Sequence, residues 1–206
     1  MRLKNIAVVA TILCMSCAMG FAQSSGSSSA STQASTAAPT IASILNNQLR
    51  GVEREIMGAA EAVPQDKFDF SPGTGNVPGD FKTPSPVRTM GEQFKHIGDA
   101  LEAYSSGIMG QKPPANSGEN GPKNIKTKQE VIDYLKGAFA KAHSAIDTIT
   151  DQNATEEIAS PFGGNRKVTR LALAVSMVGH SNNHYGQIIE YLRMNSIVPP
   201  ESQPRK

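Results

Sequence analysis

The chain has 206 residues, with 20 lysines and arginines against 18 aspartates and glutamates. This near balance argues against a nucleic-acid-binding protein, which needs clustered basic residues to neutralise phosphates. No run of 18 or more apolar residues lies in the body of the chain, which excludes a protein with several transmembrane helices. The length predicts one domain, or at most two.

The N-terminus has the pattern of a signal peptide, which we predict over residues 1–22. Two basic residues precede an uncharged, mostly apolar stretch over Ile6–Phe21. This stretch is short for a membrane span, and small residues precede a cleavage point before Gln23. We therefore predict an exported protein, periplasmic or secreted, with no membrane insertion after cleavage. The alternatives are an uncleaved N-terminal anchor and, less favoured, a lipoprotein attached through Cys17.

After the predicted signal the chain contains no cysteine, and it begins with a low-complexity segment. Cys14 and Cys17 both lie within the predicted signal, so the mature chain has no thiol for a disulfide, a nucleophile or a zinc site. Residues 23–40 are mostly Ser, Thr, Ala and Gln, and such a segment has little apolar surface to offset the entropy of ordering it. We predict a flexible linker over residues 23–40 and a folded domain over residues 41–202.

The folded part shows four amphipathic helical patterns. Apolar residues recur at three- and four-residue steps and predict helices over residues 42–62, 87–109, 127–148 and 168–194. Five prolines predict a long loop over residues 64–87. A strand pair within that loop is left open, but no alternating strand pattern of useful length is evident. The pattern favours an all-α fold, a four-helix bundle with long crossing loops.

Three of the four histidines lie on helix faces where a metal site can form. His180 and His184 are one turn apart in the apolar stripe of the fourth helix, so both imidazoles can reach one metal ion. His96 lies midway along the second helix in a row of small residues, which leaves space for a pocket. His143 lies at the edge of the third helix and is predicted to be structural or partly exposed. From the spacing alone, the alternative is a set of histidines satisfied by hydrogen bonds in the core or at the surface.

Two polar residues are candidates for orienting these histidines or a ligand. Glu92 lies one turn before His96, and a carboxylate there can accept a hydrogen bond from the imidazole. Gln187 follows His184 by three residues and lies within a turn of the site. The alternatives are a solvated helix carboxylate for Glu92 and, for Gln187, a residue that fills a polar gap between helices.

The segment that contains the last two histidines resembles the C-terminal signature of the DinB superfamily. It reads HSNNHYGQIIEYLR over residues 180–193 and is followed by two prolines. His96, in the sequence QFKH, matches the family's histidine on the second helix, and the resemblance covers about residues 41–202. It implies a four-helix bundle in which His96, His180 and His184 bind a divalent metal, such as zinc, nickel or manganese. Because imidazoles must be neutral to bind, we expect the metal affinity to fall below a pH of about 6.5.

The resemblance implies an activity class without a defined substrate. Some members of the superfamily are thiol-dependent transferases or isomerases, and many have no assigned activity. An exported member would meet little reduced thiol, which argues against thiol-dependent transfer. We predict a metal-dependent hydrolase or transferase acting on a small molecule, and a thiol-dependent transferase stays among the candidates. The alternative is a non-catalytic metal-binding or stress-related bundle. The oligomeric state is left open; a homodimer is considered, because such bundles often pair through an exposed apolar helix face.

Overall fold

The computed structural model describes residues 38–73, 87–115 and 118–204. The helices are α1 (Ile41–Ala62), α2 (Met90–Ile108), α3 (Lys128–Asp147) and α4 (Arg170–Met194), with single 3₁₀ turns at Gln65–Lys67 and Pro200–Ser202. Strands β1 (Glu157–Ala159) and β2 (Lys167–Thr169) pair antiparallel between α3 and α4. The predicted four-helix fold is confirmed. The strand pair is a small addition to it, because each strand has only three residues. The predicted signal, and nearly all of the predicted linker, lie outside the described residues.

A threonine caps the first turn of every long helix. Each threonine side chain accepts a hydrogen bond from the backbone N–H three residues later, at Thr40, Thr89, Thr127 and Thr169. In α2 and α3 a glutamate side chain also accepts a bond from the cap residue's own N–H, which completes a capping box. Helices α2 and α4 therefore begin two or three residues later than the apolar pattern predicts, because the cap determines where the helix starts.

The apolar stripes of the four helices form one core. Helix α2 packs against α3 and α4, and α1 packs against the same two helices. The largest fully buried side chains come from all four helices and include Leu49, Ile56, Phe94, Phe139, Met177 and Ile188. This packing makes α2 and α4 neighbours, and these two helices carry the three candidate histidines. Within the described ranges, no helix combines the length and hydrophobicity needed to cross a membrane.

The β1–β2 hairpin is the element that the sequence analysis missed. Ile158 pairs with Val168 at its centre, and Gly163 and Gly164 turn the chain with φ angles of 79° and 71°. Strands of three residues are too short for a period-two pattern to be recognised. The strand pair left open for the 64–87 loop is not found in residues 64–73, and residues 74–86 lie outside the described part of the chain.

The contact between α2 and α3 depends on a glycine. A Cβ added at Gly98 would lie 2.5 Å from Cε1 of Tyr134. We expect Gly98→Ala to destabilise the protein by about 1–2 kcal/mol, because overpacking outweighs the gain in helix propensity. The matched variant Gly137→Ala, on an exposed position of α3 with nothing within 4 Å of the added Cβ, should stabilise it by about 0.5–1 kcal/mol. Urea unfolding measures both effects, and equal shifts of the same sign would contradict this close approach.

Candidate metal centre

His96 of α2 and His180 and His184 of α4 form a compact cluster. One ring nitrogen from each residue lies within 4.8 Å of the other two. The ring centroids of His184 are 4.5 Å from those of His96 and His180, and the His96 and His180 centroids are 5.1 Å apart. His184 is buried, whereas the other two are partly exposed. The structure therefore brings together the three histidines selected from the sequence.

Gln93 is hydrogen-bonded to the ring of His184, and Gln187 is hydrogen-bonded to Gln93. Its Nδ1 lies 2.9 Å from Oε1 of Gln93, and Nε2 of Gln93 donates to Oε1 of Gln187, also at 2.9 Å. Because the amide nitrogen of Gln93 is committed to Gln187, its oxygen is the acceptor, and Nδ1 of His184 carries the donated proton. The lone pair then lies on Nε2 of His184, so the hydrogen bond selects one nitrogen for metal binding.

The two predicted orienting residues have other partners. Oε2 of Glu92 accepts from the backbone N–H of Thr89 at 2.9 Å, and Oε1 accepts from Nδ2 of Asn120 at 3.3 Å. Glu92 thus caps α2, and no hydrogen bond joins it to a histidine in the described part of the chain. Gln187 acts one step away from His184, through Gln93. The sequence analysis missed Gln93, although it lies one turn before His96 on the same face of α2.

Two further ring nitrogens in the cluster are buried without a protein partner. Among the described residues, Nδ1 of His96 and Nε2 of His180 have no hydrogen bond. Since buried polar atoms are nearly always hydrogen-bonded, these nitrogens point to a ligand at the cluster. Three imidazole nitrogens form a donor set that suits a divalent transition metal or zinc.

Burial keeps these imidazoles neutral. It lowers the pKa of His96 and of His184 to about 4, and it lowers the pKa of His180 as well. The positive charge of Arg88 contributes in the same direction at all three residues. At pH 7 the histidines therefore carry no proton that a metal ion would have to displace.

His143 lies outside the cluster, between α1 and α3. Its Nδ1 is 2.6 Å from Oδ1 of Asn46, and its Nε2 is 2.9 Å from Oε2 of Glu53. The amide nitrogen of Asn46 in turn donates to Asp147 at 2.6 Å. Both ring nitrogens of His143 are therefore used between helices, in agreement with the predicted structural role.

Comparison with known proteins identifies the family. A sequence model of the DinB superfamily matches residues 48–188, a range that includes all three histidines. The chain belongs to the DinB superfamily. Its fold is similar to a DinB-like protein (YjoA) from Bacillus subtilis, with 19% identity and a TM-score of 0.56 over 79% of this chain and 99% of that one. It is also similar to a DinB-like protein from Bacillus cereus ATCC 10987, with 15% identity and a TM-score of 0.60 over 79% and 97% of the two chains. No curated protein sequence matched.

One cavity borders the histidine cluster, and a second lies beside Gln93, the partner of His184. The first, of about 490 Å³, is bounded by His96 and His180 and by mostly apolar side chains, among them Ala100, Ala103, Tyr104, Pro161 and Phe162. The second, of about 540 Å³, is bounded by polar side chains that include Arg88, Gln93 and Gln187. Glu119 borders both cavities. The space predicted beside His96 is therefore present, and the hairpin that carries Phe162 forms one of its walls.

The Gln93 contact yields a prediction for this DinB protein. We expect Gln93→Ala to lower the affinity for a divalent metal about 10- to 100-fold, because His184 loses the acceptor that fixes its proton on Nδ1. Gln187→Ala should have a smaller effect, since it removes only the partner of Gln93. Gln48→Ala, at an exposed position of α1, is the matched control. Competition with a chelator measures the affinities, and equal values for Gln93→Ala and the control would contradict this role.

Proposed function

We propose that this DinB protein is an exported metalloprotein that binds one divalent ion through His96, His180 and His184 and acts as a hydrolase or transferase on a small molecule. Zinc, nickel and manganese are the candidate metals. The observation that carries the proposal is the convergence of three neutral imidazoles, two with unsatisfied buried nitrogens, beside a ligand-sized cavity. Export is proposed from the signal pattern of residues 1–22.

The donor set favours catalysis over a purely structural metal. The cluster found among the described residues contains three histidines and no Asp, Glu or Cys, and a set of three protein ligands leaves a position for a water or a substrate. A bound divalent ion would supply Lewis acidity, which activates a water molecule or polarises a carbonyl group. The protein's own part is to fix the tautomer of His184 through Gln93 and to hold the substrate in the apolar cavity away from bulk water.

Elemental analysis tests whether the protein binds a divalent metal. Residues 23–206, purified without chelators and without a histidine tag, should contain about one equivalent of a divalent metal. A protein that stays metal-free after incubation with zinc, nickel and manganese in turn would contradict the proposal.

A turnover screen tests whether the protein is an enzyme. Ester, amide and lactone hydrolysis and group transfer should be assayed with the metal-loaded and the metal-free protein. Turnover that disappears with the metal and returns on reloading is the expected result. Stoichiometric metal without turnover would favour the alternative, a non-catalytic metal-binding bundle.

A further inference from the structure

We propose that Arg88 makes this metal centre a receptor for a monocarboxylate whose apolar body occupies the cavity beside His96. The inference rests on the proposed function and names the class of ligand that the site takes. Arg88 precedes α2 by two residues and borders the polar cavity, and the sequence analysis assigned it no role.

The positive charge around the cluster favours an anionic ligand. Arg88 borders the polar cavity together with Gln93, the partner of His184, and it donates to Glu119, which borders both cavities. The positive guanidinium of Arg88 repels a metal cation at the cluster. Metal binding therefore does not explain why Arg88 lies there. The three ligands are neutral, and a bound dication beside Arg88 would leave the centre strongly positive. A carboxylate that contacts both charges would neutralise much of this excess.

Two hydrogen bonds to backbone carbonyl groups position Arg88, whereas the carboxylate that pairs with its side chain is exposed. The hydroxyl of Tyr191 donates to the backbone carbonyl of Arg88 at 3.1 Å, and Nε of Arg88 donates to the backbone carbonyl of Glu119 at 3.0 Å. The remaining contact, between Nη2 and Oε1 of Glu119, is longer, at 3.3 Å. The Arg88 side chain is 21% exposed, against 88% for Glu119. Because so exposed an ion pair contributes little, a ligand carboxylate can replace that of Glu119 and form a bidentate contact.

The apolar cavity beside His96, which shares Glu119 with the polar cavity, determines the chemistry of the ligand's body. Its volume of about 490 Å³ is in the range for a small molecule. The rings of Tyr104 and Phe162, with centroids 4.7 Å apart in an edge-to-face arrangement, give it an aromatic wall suited to an apolar group. The carboxylates of Asp99 and Glu119 also border this cavity, and they disfavour a second negative charge on the ligand. A monocarboxylate with a neutral apolar body fits these requirements.

Phenylacetate and acetate are the probes, titrated calorimetrically into zinc-loaded and metal-free protein. We expect phenylacetate to bind the zinc-loaded protein about tenfold or more tightly than acetate, because its ring enters the cavity. Arg88→Ala should weaken phenylacetate binding about tenfold or more, and it should leave zinc affinity unchanged or raise it, because a repelling charge is removed. Loss of both zinc and phenylacetate would show a structural role and overturn the proposal, as would phenylacetate affinity within about twofold of the wild type.

Three variants sharpen this test. Arg88→Lys keeps the charge but loses the bidentate geometry, so its phenylacetate affinity should be intermediate. Glu119→Gln removes the competing carboxylate and should strengthen binding severalfold. Arg193→Gln is the matched control, since Arg193 is exposed and pairs with Glu190 on α4.

Failure of the proposed function gives a different result. A wild-type protein that binds no zinc contradicts the metal site, whereas Arg88 is then judged from the metal-free titrations. There we expect weaker phenylacetate binding that still depends on Arg88. If the wild type binds no zinc, phenylacetate binding that is absent, or that is insensitive to Arg88→Ala, overturns the inference by itself.

Discussion

Replacing His184 with alanine is expected to abolish stoichiometric metal binding, with a loss of affinity of more than about 100-fold. Changes to residues that only orient a ligand already cost about 10- to 100-fold, and this variant removes a ligand itself. His184 is the most buried of the three histidines and the one whose tautomer Gln93 selects. The two remaining imidazoles, of His96 and His180, cannot hold a divalent ion against a competing chelator.

His143→Ala is the matched control for this experiment. His143 is also a helical histidine, but both of its ring nitrogens have protein partners, Asn46 and Glu53 of α1. We expect the variant to retain a full equivalent of metal despite losing these contacts. Circular dichroism shows that both variants are folded, and elemental analysis after dialysis against a chelator gives the metal content. Full stoichiometry in His184→Ala would contradict the ligand assignment.

Acidification is expected to destabilise the metal-free protein through His96 and His184. The pKa of each is lowered by burial to about 4 in the folded protein, against about 6.5 in an unfolded chain. Between these values the unfolded state binds more protons, so the free energy of unfolding decreases as the pH falls. This contribution is fully present above pH 6.5 and is lost towards pH 4. Its magnitude is on the order of 2 kcal/mol for each histidine, after the full shift is discounted for screening by solvent.

Urea unfolding at pH 7, 5.5 and 4.5 measures this effect. The double variant His96→Gln/His184→Gln retains the carboxylates that titrate in this range but lacks the two imidazoles. Its stability should therefore decrease less on acidification than that of the wild type, and parallel curves would contradict the assigned pKa shifts.

The same shifts correct the expected pH dependence of metal binding. An unperturbed imidazole predicts loss of affinity below a pH of about 6.5. Because burial lowers the pKa of all three histidines, to about 4 for His96 and His184, the affinity should be lost at a lower pH than an unperturbed imidazole predicts. A chelator titration that loses affinity between pH 7 and 6 would contradict this expectation.

The features that follow from local periodicity could be predicted from the sequence. The four helices repeat apolar residues at helical spacing, and the four-residue step from His180 to His184 places both on one face. The convergence of His96 with them depends on the packing of α2 against α4, which no local pattern encodes, and this residue was assigned through the family resemblance.

The features that depend on contacts between distant segments could not be predicted. Gln93 and His184 are hydrogen-bonded across 91 positions, and helical spacing gives no information about such a partner. Glu92 was selected because it lies one turn before His96, yet the capping box of α2 uses its carboxylate. Arg88 was not selected, because its contacts are with Glu119 and Tyr191, which belong to a loop and to another helix.

The ligands of the proposed metal come from two helices, and His96 and His180 are 84 positions apart in the chain. An ion shared by α2 and α4 would therefore act as a reversible cross-link in a chain whose cysteines lie only in the predicted signal. Unlike a disulfide, this cross-link would respond to supply, with each tenfold rise in free metal above the dissociation constant adding about 1.4 kcal/mol to the stability of the fold. If residues 1–22 direct export as proposed, the metal available in the periplasm or outside the cell would then determine how long the folded chain survives proteolysis.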